Sequence, residues 1–236
     1  MGSVTSAGAI GDCCLKIIFL GRRSYEDVSK IQAQAVMSRS ADQSSDTVYL
    51  VEHDPVVTLG RANDAQLTCS QRSRLLNRGI QIVSSSRGGK ATYHGPGQLV
   101  IYPILSLRER NNDAHGYLRS LELLVSQWLQ SCGVTAIPRP GLTGVWASGG
   151  KIASIGVRVF SGVTSHGVAV NLNTDLTVFE LFEPCGLDGS QVTSVNHETG
   201  FAPSLSEATD SIAPYLNLHL NIQQSIKPQE RVVVRG

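Results

Sequence analysis

One cysteine lies in a context that favours reactivity. Cys185 stands between a proline and a glycine in the segment EPCG (183–186). These neighbours predict a tight, exposed turn with little steric cover over the thiol. A thiolate is the nucleophilic form of cysteine, and a nearby cation stabilises it. The N–H group of Gly186 is also placed to bind an oxyanion. The segment therefore predicts a thiol nucleophile.

The residues alone leave the partner of this thiol open. Lys151, His94 and His166 are the candidates, and a Cys–His pair is the commoner arrangement. Lys151 follows two glycines and begins an apolar strand. A lysine at that position is usually solvated, but one that faces a pocket becomes a usable proton acceptor. His166 is predicted in a hairpin turn, where it could reach the same pocket. The other histidines are predicted to be ordinary surface residues: His53, His115, His197 and His219.

A glycine-rich segment, RGGKATYHGPGQ (87–98), suggests a ligand-binding loop. Four glycines in twelve residues let backbone N–H groups approach an anion closely. Arg87 and Lys90 add positive charge, while Tyr93 and His94 lie just before a buried strand. The segment contains neither GxxxxGK[ST] nor GxGxxG, so it is not one of the common nucleotide-binding loops. The alternative is a plain surface turn.

Composition excludes several classes of protein. The 236 residues suit one large domain, and 41% hydrophobic with 17% charged residues is typical of globular chains. A formal net charge of +1 gives no general reason to bind nucleic acid. The five cysteines include no CxxC pair, which argues against a zinc or redox motif and favours a reducing compartment. The apolar run near the start is too short for a signal peptide or a membrane span. We expect a soluble intracellular protein without a metal site.

Periodicity predicts a mixed α/β fold. The clearest helix covers 117–132, where apolar residues follow one face and a glycine ends the pattern. Alternating residues predict a hairpin of strands 155–159 and 168–172, with a loop at 161–165. The other predicted elements are a strand from Leu15, a helix at 25–37, strands at 48–52 and 56–60, a strand at 99–104 that Pro103 ends or places at an edge, and a last helix opened by a capping box at Ser204 and kinked or restarted at Pro214. We expect a catalytic domain at 15–220, a flexible leader at 1–14 and a tail at 221–236.

Four segments in register resemble the lipoyl(octanoyl) transferase family. They are RGGKATYHGPGQLVIYPI (87–104), TGVWASGGKIASIGVRV (143–159), GVTSHGVAVNLNTDL (162–176) and FEPCGL (182–187). Weaker similarity extends the match to about residues 15–200. The resemblance implies a mixed β-sheet with packed helices, similar to the catalytic domain of biotin and lipoate protein ligases. It also implies transfer of an octanoyl group from acyl carrier protein to a lysine on the lipoyl domain of a 2-oxoacid dehydrogenase or a glycine cleavage protein.

The resemblance also assigns roles to residues. Cys185 is expected to carry an octanoyl thioester with Lys151 as its partner, and no cofactor is required. The implied acyl-binding residues are Arg87, Gly88, Gly89, Lys90, Ala91, Thr92, Tyr93, His94, Ser154, Ile155, Gly156, His166, Gly167, Val168 and Ala169. We expect Gly156 and Gly167 to leave room for the aliphatic chain.

Two positions depart from the family pattern. Lys90 replaces a residue that is more often acidic or neutral, and Gly149-Gly150 replaces a more polar pair, which is expected to loosen the Lys151 loop. Arg87 and Lys90 are expected to meet an acidic surface of the carrier protein or the phosphate of its pantetheine group.

Three alternative functions are considered: an ATP-dependent lipoate or biotin ligase, a catalytically silent module that binds the acyl carrier, and a thioesterase. We expect a monomer in the cytoplasm, or in the mitochondrial matrix of a eukaryote.

Overall fold

The computed structural model describes residues 15–62, 67–182 and 191–220. The predicted leader and tail, 1–14 and 221–236, lie outside the described residues. Within the described ranges the strands are β1 (Lys16–Arg23), β2 (Thr47–His53), β3 (Val56–Leu59), β4 (Gln81–Ser84), β5 (Ala91–His94), β6 (Gln98–Ile104), β7 (Ile137–Arg139), β8 (Leu142–Ala147), β9 (Gly150–Phe160) and β10 (Val163–Asn171). The α-helices are α1 (Tyr25–Ser40), α2 (Cys69–Asn77), α3 (Ala114–Ser131), α4 (Val195–Thr199) and α5 (Leu205–Leu220), and short 3₁₀ helices cover Arg108–Arg110 and Leu176–Leu181.

The strands form a large and a small mixed sheet. The large sheet has the order β1-β2-β6-β10-β9-β8-β7, in which β1 and β2 are parallel and the other neighbours are antiparallel. The small sheet has the order β4-β3-β5. The mixed α/β prediction is confirmed. The predicted strands at 48–52 and 56–60 exist, but they belong to different sheets.

Strand β6 shows how the large sheet is covered on both faces. Leu99 and Ile101 join the main core with α3 and α5, whereas Val100 and Tyr102 pack with Val28 of α1. Successive side chains of a strand point to opposite faces, so each face of β6 meets a different helical layer. No helix within the described part of the chain has the length and apolarity to cross a membrane.

The helix predicted at 117–132 is the core helix α3. It begins earlier, at Ala114, because Asp113 Oδ1 accepts a hydrogen bond from Gly116 N at 2.7 Å and caps the first turn. Trp128 is fully buried, and its Nε1 donates to Ser211 Oγ of α5 at 3.1 Å. Near the C-terminus, Ser204 and Glu207 form the predicted capping interaction, and α5 then runs through Pro214 without restarting.

The β9–β10 hairpin differs from its prediction. The turn is only Ser161-Gly162, both with positive φ, as a tight two-residue hairpin loop requires. His166 therefore lies inside β10, opposite Val157, and the prediction that it occupies the turn is wrong. Its φ of +57° is unusual within a strand.

Pro103 lies in a central strand, so the predicted edge position is wrong. The proline is opposite Val48 of β2, while the paired register of β6 with β10 reaches only Ile101 and Val168. Proline has no backbone N–H, and here none is needed, because the paired register of β6 with β10 ends before residue 103. The strand does end one residue later, at Ile104, as predicted.

Close packing at Gly167 leads to a stability prediction. A Cβ at this position would lie 2.2 Å from Ile101 O, a backbone atom of the neighbouring strand. We expect Gly167→Ala to lower the free energy of unfolding in urea by about 3 kcal/mol, because the two strands must separate. Gly79→Ala is the control, since Gly79 has positive φ and nothing within 4 Å of a Cβ; it should lose only about 1 kcal/mol. Equal losses in both variants would contradict the steric argument.

Candidate active site

The glycine-rich loop is anchored by the side chain of Arg87. Its Nε and Nη2 donate to Thr58 Oγ1 at 3.1 and 2.8 Å, and Nη2 also donates to Thr58 O at 2.6 Å. The residue is 6% exposed. The expectation that Arg87 meets a carrier surface is therefore wrong, because the guanidinium is directed into β3. Gly88 N donates to Val157 O at 3.0 Å and ties the same loop to β9.

Buried aromatic and imidazole rings lie behind this loop. His53 is 0% exposed, and its Nε2 is 2.9 Å from Tyr102 Oη, so its predicted surface position is wrong. The ring of His94 stacks on Tyr25, with centroids 6.0 Å apart. His166 contacts Tyr102 edge to face at 6.4 Å. Of the other histidines predicted at the surface, His115 and His197 are exposed and His219 is half-buried.

Burial keeps these imidazoles uncharged near neutral pH. Desolvation lowers the pKa of His53 and of His166 to about 4, and the Arg87 charge adds to the effect at His166. Desolvation also lowers the pKa of His94 well below its usual value, with His53 and Arg87 contributing. Neutral imidazoles of such low basicity are poor proton acceptors. This favours Lys151 over His94 and His166 as the partner of the thiol.

The lowered pKa of His53 predicts a pH-dependent stability. Between about pH 6.5 and pH 4 the unfolded state binds more protons than the folded state, so stability falls as the pH decreases through this window. We expect the loss in unfolding free energy between pH 7 and pH 4.5 to be about 2 kcal/mol smaller in His53→Gln than in the original chain. Urea unfolding at both pH values measures it. His115→Gln, at an exposed site, should keep the original pH dependence, and equal pH dependence in His53→Gln would contradict the prediction.

A narrow cavity lies between the small sheet and the α1 side of the large sheet, and it is called here the acyl cavity after the binding role that the family resemblance predicts for its lining. Its space of about 40 Å³ would hold only a few water molecules. Eleven of the sequence-predicted residues line it: Arg87, Gly89, Thr92, His94, Ser154, Ile155, Gly156, His166, Gly167, Val168 and Ala169. The remaining lining residues, Tyr25, Val100 and Tyr102, were not predicted.

Four predicted binding residues do not line the cavity: Gly88, Lys90, Ala91 and Tyr93. Alternation along β5 explains two of these. Thr92 and His94 face the cavity, whereas Ala91 and Tyr93 belong to a separate core cluster, where the Tyr93 ring meets Phe179 edge to face at 5.7 Å. Residues 88 and 90 flank this strand in the loop.

The two glycines expected to leave room for the chain are used for protein packing. A Cβ on Gly156 would lie 2.9 Å from Gly88 O and 3.2 Å from Arg87 Cδ. The space beside Gly167 is filled by the backbone of β6. Their expected role is therefore corrected: these glycines allow close approach of neighbouring segments, and their backbone forms part of the cavity wall.

Lys151 is buried at the start of β9. The residue is 7% exposed, and its Nζ lies 5.6 Å from the centre of the Trp146 ring on β8. The guanidinium of Arg139 lies over the same ring at 4.7 Å. Lys151 is thus not the solvated surface lysine that the sequence alone would favour.

The backbone around Lys151 is firmly held. Gly149 N donates to Glu198 Oε1 at 2.9 Å, and Thr193 N donates to Lys151 O at 3.1 Å. A Cβ on Gly150 would lie 2.4 Å from Gln191 O. The expectation that Gly149-Gly150 loosens this loop is therefore wrong.

The proposed nucleophile Cys185 lies outside the described residues, as does its predicted contact with Lys151. The described chain ends at Phe182, which is buried, and resumes at Gln191. Val192 then forms a parallel bridge with Lys151. Among the described residues the free cysteines are Cys69, which is exposed, and Cys132, which is half-buried.

Comparisons with known proteins agree with this architecture. A curated protein of Chloroflexus aggregans named octanoyltransferase is 42% identical over 201 residues, which cover 84% of this chain and 91% of the relative. The bi-partite lipoate protein ligase of Thermoplasma acidophilum superposes with a TM-score of 0.63 at 17% identity, over 87% of this chain and 83% of that chain. A biotin protein ligase of Aquifex aeolicus gives a TM-score of 0.55 at 13% identity, over 89% and 71%. At these identities the two structures establish the fold alone.

The fold is that of lipoate and biotin protein ligase catalytic domains. The similarity to a protein named octanoyltransferase shows that the chain is an acyltransferase. The chain belongs to the family of the lipoyl protein ligase A/B catalytic domain, whose model matches residues 24–217. The predicted fold, family and enzyme class are confirmed. The assignment of individual residues to catalysis and binding stays a prediction.

Proposed function

We propose that this enzyme transfers an octanoyl group from acyl carrier protein to a lysine of a lipoyl domain, through a thioester on Cys185. The observation that carries the proposal is the 42% identity to a protein named octanoyltransferase along nearly its whole length. The proposed acceptors are the lipoyl domains of 2-oxoacid dehydrogenases and glycine cleavage proteins. The enzyme is proposed to act as a monomer.

Two successive exchanges at the acyl carbon account for the reaction. The thiolate of Cys185 attacks the carrier thioester; a new C–S bond forms, the old one breaks, and the carrier sulfur leaves as a thiol with the proton that the Lys151 ammonium gives up. The neutral amine of the acceptor lysine then attacks the enzyme thioester, an amide forms, and Cys185 is released. The first exchange is nearly isoenergetic and amide formation runs downhill, so ATP is not required.

Lys151 is proposed to serve both exchanges. As an ammonium it stabilises the thiolate of Cys185, and as an amine it takes the proton that the acceptor lysine loses. Its burial beside Trp146 supports this role, because charge interactions are stronger away from water. The low basicity of His94 and His166 leaves Lys151 as the better proton carrier.

The acyl cavity is proposed to widen and hold the aliphatic chain, because its space of about 40 Å³ is too small for an octanoyl group. Ile155, Val100 and Val168 supply apolar surface, and the neutral rings of His94 and Tyr102 also line the cavity. Arg87 is the charged residue of the lining, and its hydrogen bonds to Thr58 lower the cost of burying that charge beside an alkyl chain.

A transfer assay tests the proposal. The purified chain is incubated with octanoyl-acyl carrier protein and a lipoyl domain, with and without ATP, and the products are followed by mass spectrometry. We expect an octanoylated lysine on the lipoyl domain without ATP and, when the acceptor is omitted, an octanoyl adduct on Cys185. A strict need for ATP would favour a ligase, free octanoate as the sole product a thioesterase, and binding without reaction a silent carrier-binding module.

A further inference from the structure

A second cavity shares a wall with the acyl cavity. This outer cavity has a volume of about 450 Å³ and lies between α1, the end of the β9–β10 hairpin and the segment that follows β4. Tyr25 and His166 are the residues, within the part of the chain that the structure describes, that line both cavities. These two side chains therefore separate the two spaces, and they are called here the dividing wall.

The order of residues along β9 places the two cavities in series. Lys151 is the second residue of the strand, Ser154 to Gly156 line the acyl cavity, and Arg158 and Phe160 line the outer cavity. A strand advances about 3.3 Å per residue, so Phe160 lies roughly 30 Å along the strand from Lys151. An acyl chain whose carbonyl is held near Lys151 meets the dividing wall before it reaches the outer cavity.

Hydrogen bonds hold the dividing wall in place. The backbone N of His166 donates to Gln32 Oε1 at 2.8 Å, and its ring Nε2 is 3.0 Å from Ser86 Oγ. Tyr25 Oη is 2.7 Å from Ser85 Oγ. His166 is 8% exposed and Tyr25 is 4% exposed. Each ring must break its hydrogen bond to swing aside, so these bonds oppose movement of the dividing wall.

The outer cavity could accommodate an aliphatic chain if the wall were open. Ala33, Val36, Met37 and Phe160 supply apolar surface, and Met37 and Phe160 are 69% and 53% exposed. Exposed side chains of this kind leave room for chain methylenes to pack and displace water. The outer cavity is therefore chemically suited to the distal part of a longer chain.

We propose that His166 is a specificity-determining residue, whose side chain closes the acyl cavity off from the outer cavity and so limits the length of the acyl chain. Removing the ring joins the two cavities, and the distal methylenes of a longer acyl chain then enter the outer cavity. This inference rests on the proposed octanoyl transfer, and it adds the residue that sets chain length.

The test compares acyl donors of different length. His166→Gly is the main variant, because glycine tolerates the φ of +57° at this position and removes the whole ring. Octanoyl-, dodecanoyl- and tetradecanoyl-acyl carrier protein are supplied, and the rate of acylation of the lipoyl domain is measured for each. We expect the ratio of dodecanoyl to octanoyl transfer to rise on the order of tenfold or more over the original chain.

A cavity-filling variant shows whether the gain uses the outer cavity. Ala33 lines the outer cavity and not the acyl cavity. Adding Ala33→Phe to His166→Gly should return the chain-length ratio towards that of the original chain, while Ala33→Phe alone should leave octanoyl transfer unchanged. A gain that survives the double substitution would overturn the proposal.

A second variant at position 166 and two further outcomes test the proposed role of His166. His166→Asn, which keeps a short polar side chain and also tolerates positive φ, should give a smaller gain and decides the matter if His166→Gly does not fold. An unchanged chain-length ratio in a folded variant that still transfers octanoyl groups overturns the role of His166 and leaves the proposed function standing. Absence of octanoyl transfer by the original chain overturns both.

Discussion

Replacing Cys185 with alanine is expected to abolish both the octanoyl adduct and transfer to the lipoyl domain. Without the thiol, the acyl group has no covalent carrier between donor and acceptor, so the rate should fall by roughly a thousandfold or more. Single-turnover mass spectrometry with octanoyl-acyl carrier protein measures adduct formation, and the lipoyl-domain assay measures transfer. Cys185→Ser should be nearly as inactive, because a hydroxyl is not ionised at neutral pH.

The chain offers matched cysteine controls for this experiment. Cys69→Ala removes an exposed thiol, and Cys132→Ala removes a half-buried one whose pKa is raised by burial. Both variants should keep full transfer. If Cys185→Ala retained transfer, or if the adduct appeared on Cys69 or Cys132, the proposed nucleophile would be wrong.

Lys151→Met should have the second-largest effect, a loss of transfer of about a hundredfold to ten-thousandfold. Methionine keeps the length and the apolar stem of the side chain beside Trp146 but carries no proton. Lys151→Arg should not restore the rate, because a guanidinium stays protonated and cannot act as a base. Steady-state transfer and single-turnover thioester formation, measured separately, show which exchange is slowed.

Stability measurements separate a chemical role of Lys151 from a structural one. Lys30→Met is the control lysine, since Lys30 is exposed on α1 and its ion pairs among the described residues are with Glu26 and Asp27. It should leave transfer unchanged. Lys151→Met should unfold at nearly the same urea concentration as the original chain while losing activity. Full transfer in that variant would exclude Lys151 from the mechanism.

Elements with local signals could be predicted from the sequence. Helix α3 is predictable because its apolar residues recur at helical spacing and Gly133 ends the pattern. Alternation predicts the β9–β10 hairpin, although with a longer turn than the structure has. The lining of the acyl cavity came mainly from the family resemblance, because no spacing rule brings residues 87–94 next to residues 154–156 and 167–169.

The errors concern residues whose environment depends on distant partners. The sequence predicts His53 at the surface, but its ring is hydrogen-bonded to Tyr102, which is 49 residues further along the chain. Its basic character predicts a surface role for Arg87, but the guanidinium is held by Thr58, 29 residues earlier. Tyr25 begins α1 and reaches the acyl cavity only because that helix packs on the large sheet. Contacts of this kind are set by tertiary packing, which periodicity does not encode.

The arrangement around Trp146 gives the enzyme an internal optical reporter. The chain has only two tryptophans, and the other, Trp128, lies fully buried in the core beneath α5. The indole of Trp146 lies beside the Lys151 side chain and under the Arg139 guanidinium. In the proposed mechanism Lys151 gives up a proton in one exchange and regains it in the other, which would change the electric field at this indole and therefore its emission. If Lys151 acts as proposed, we expect fluorescence to follow turnover at this site without an added label.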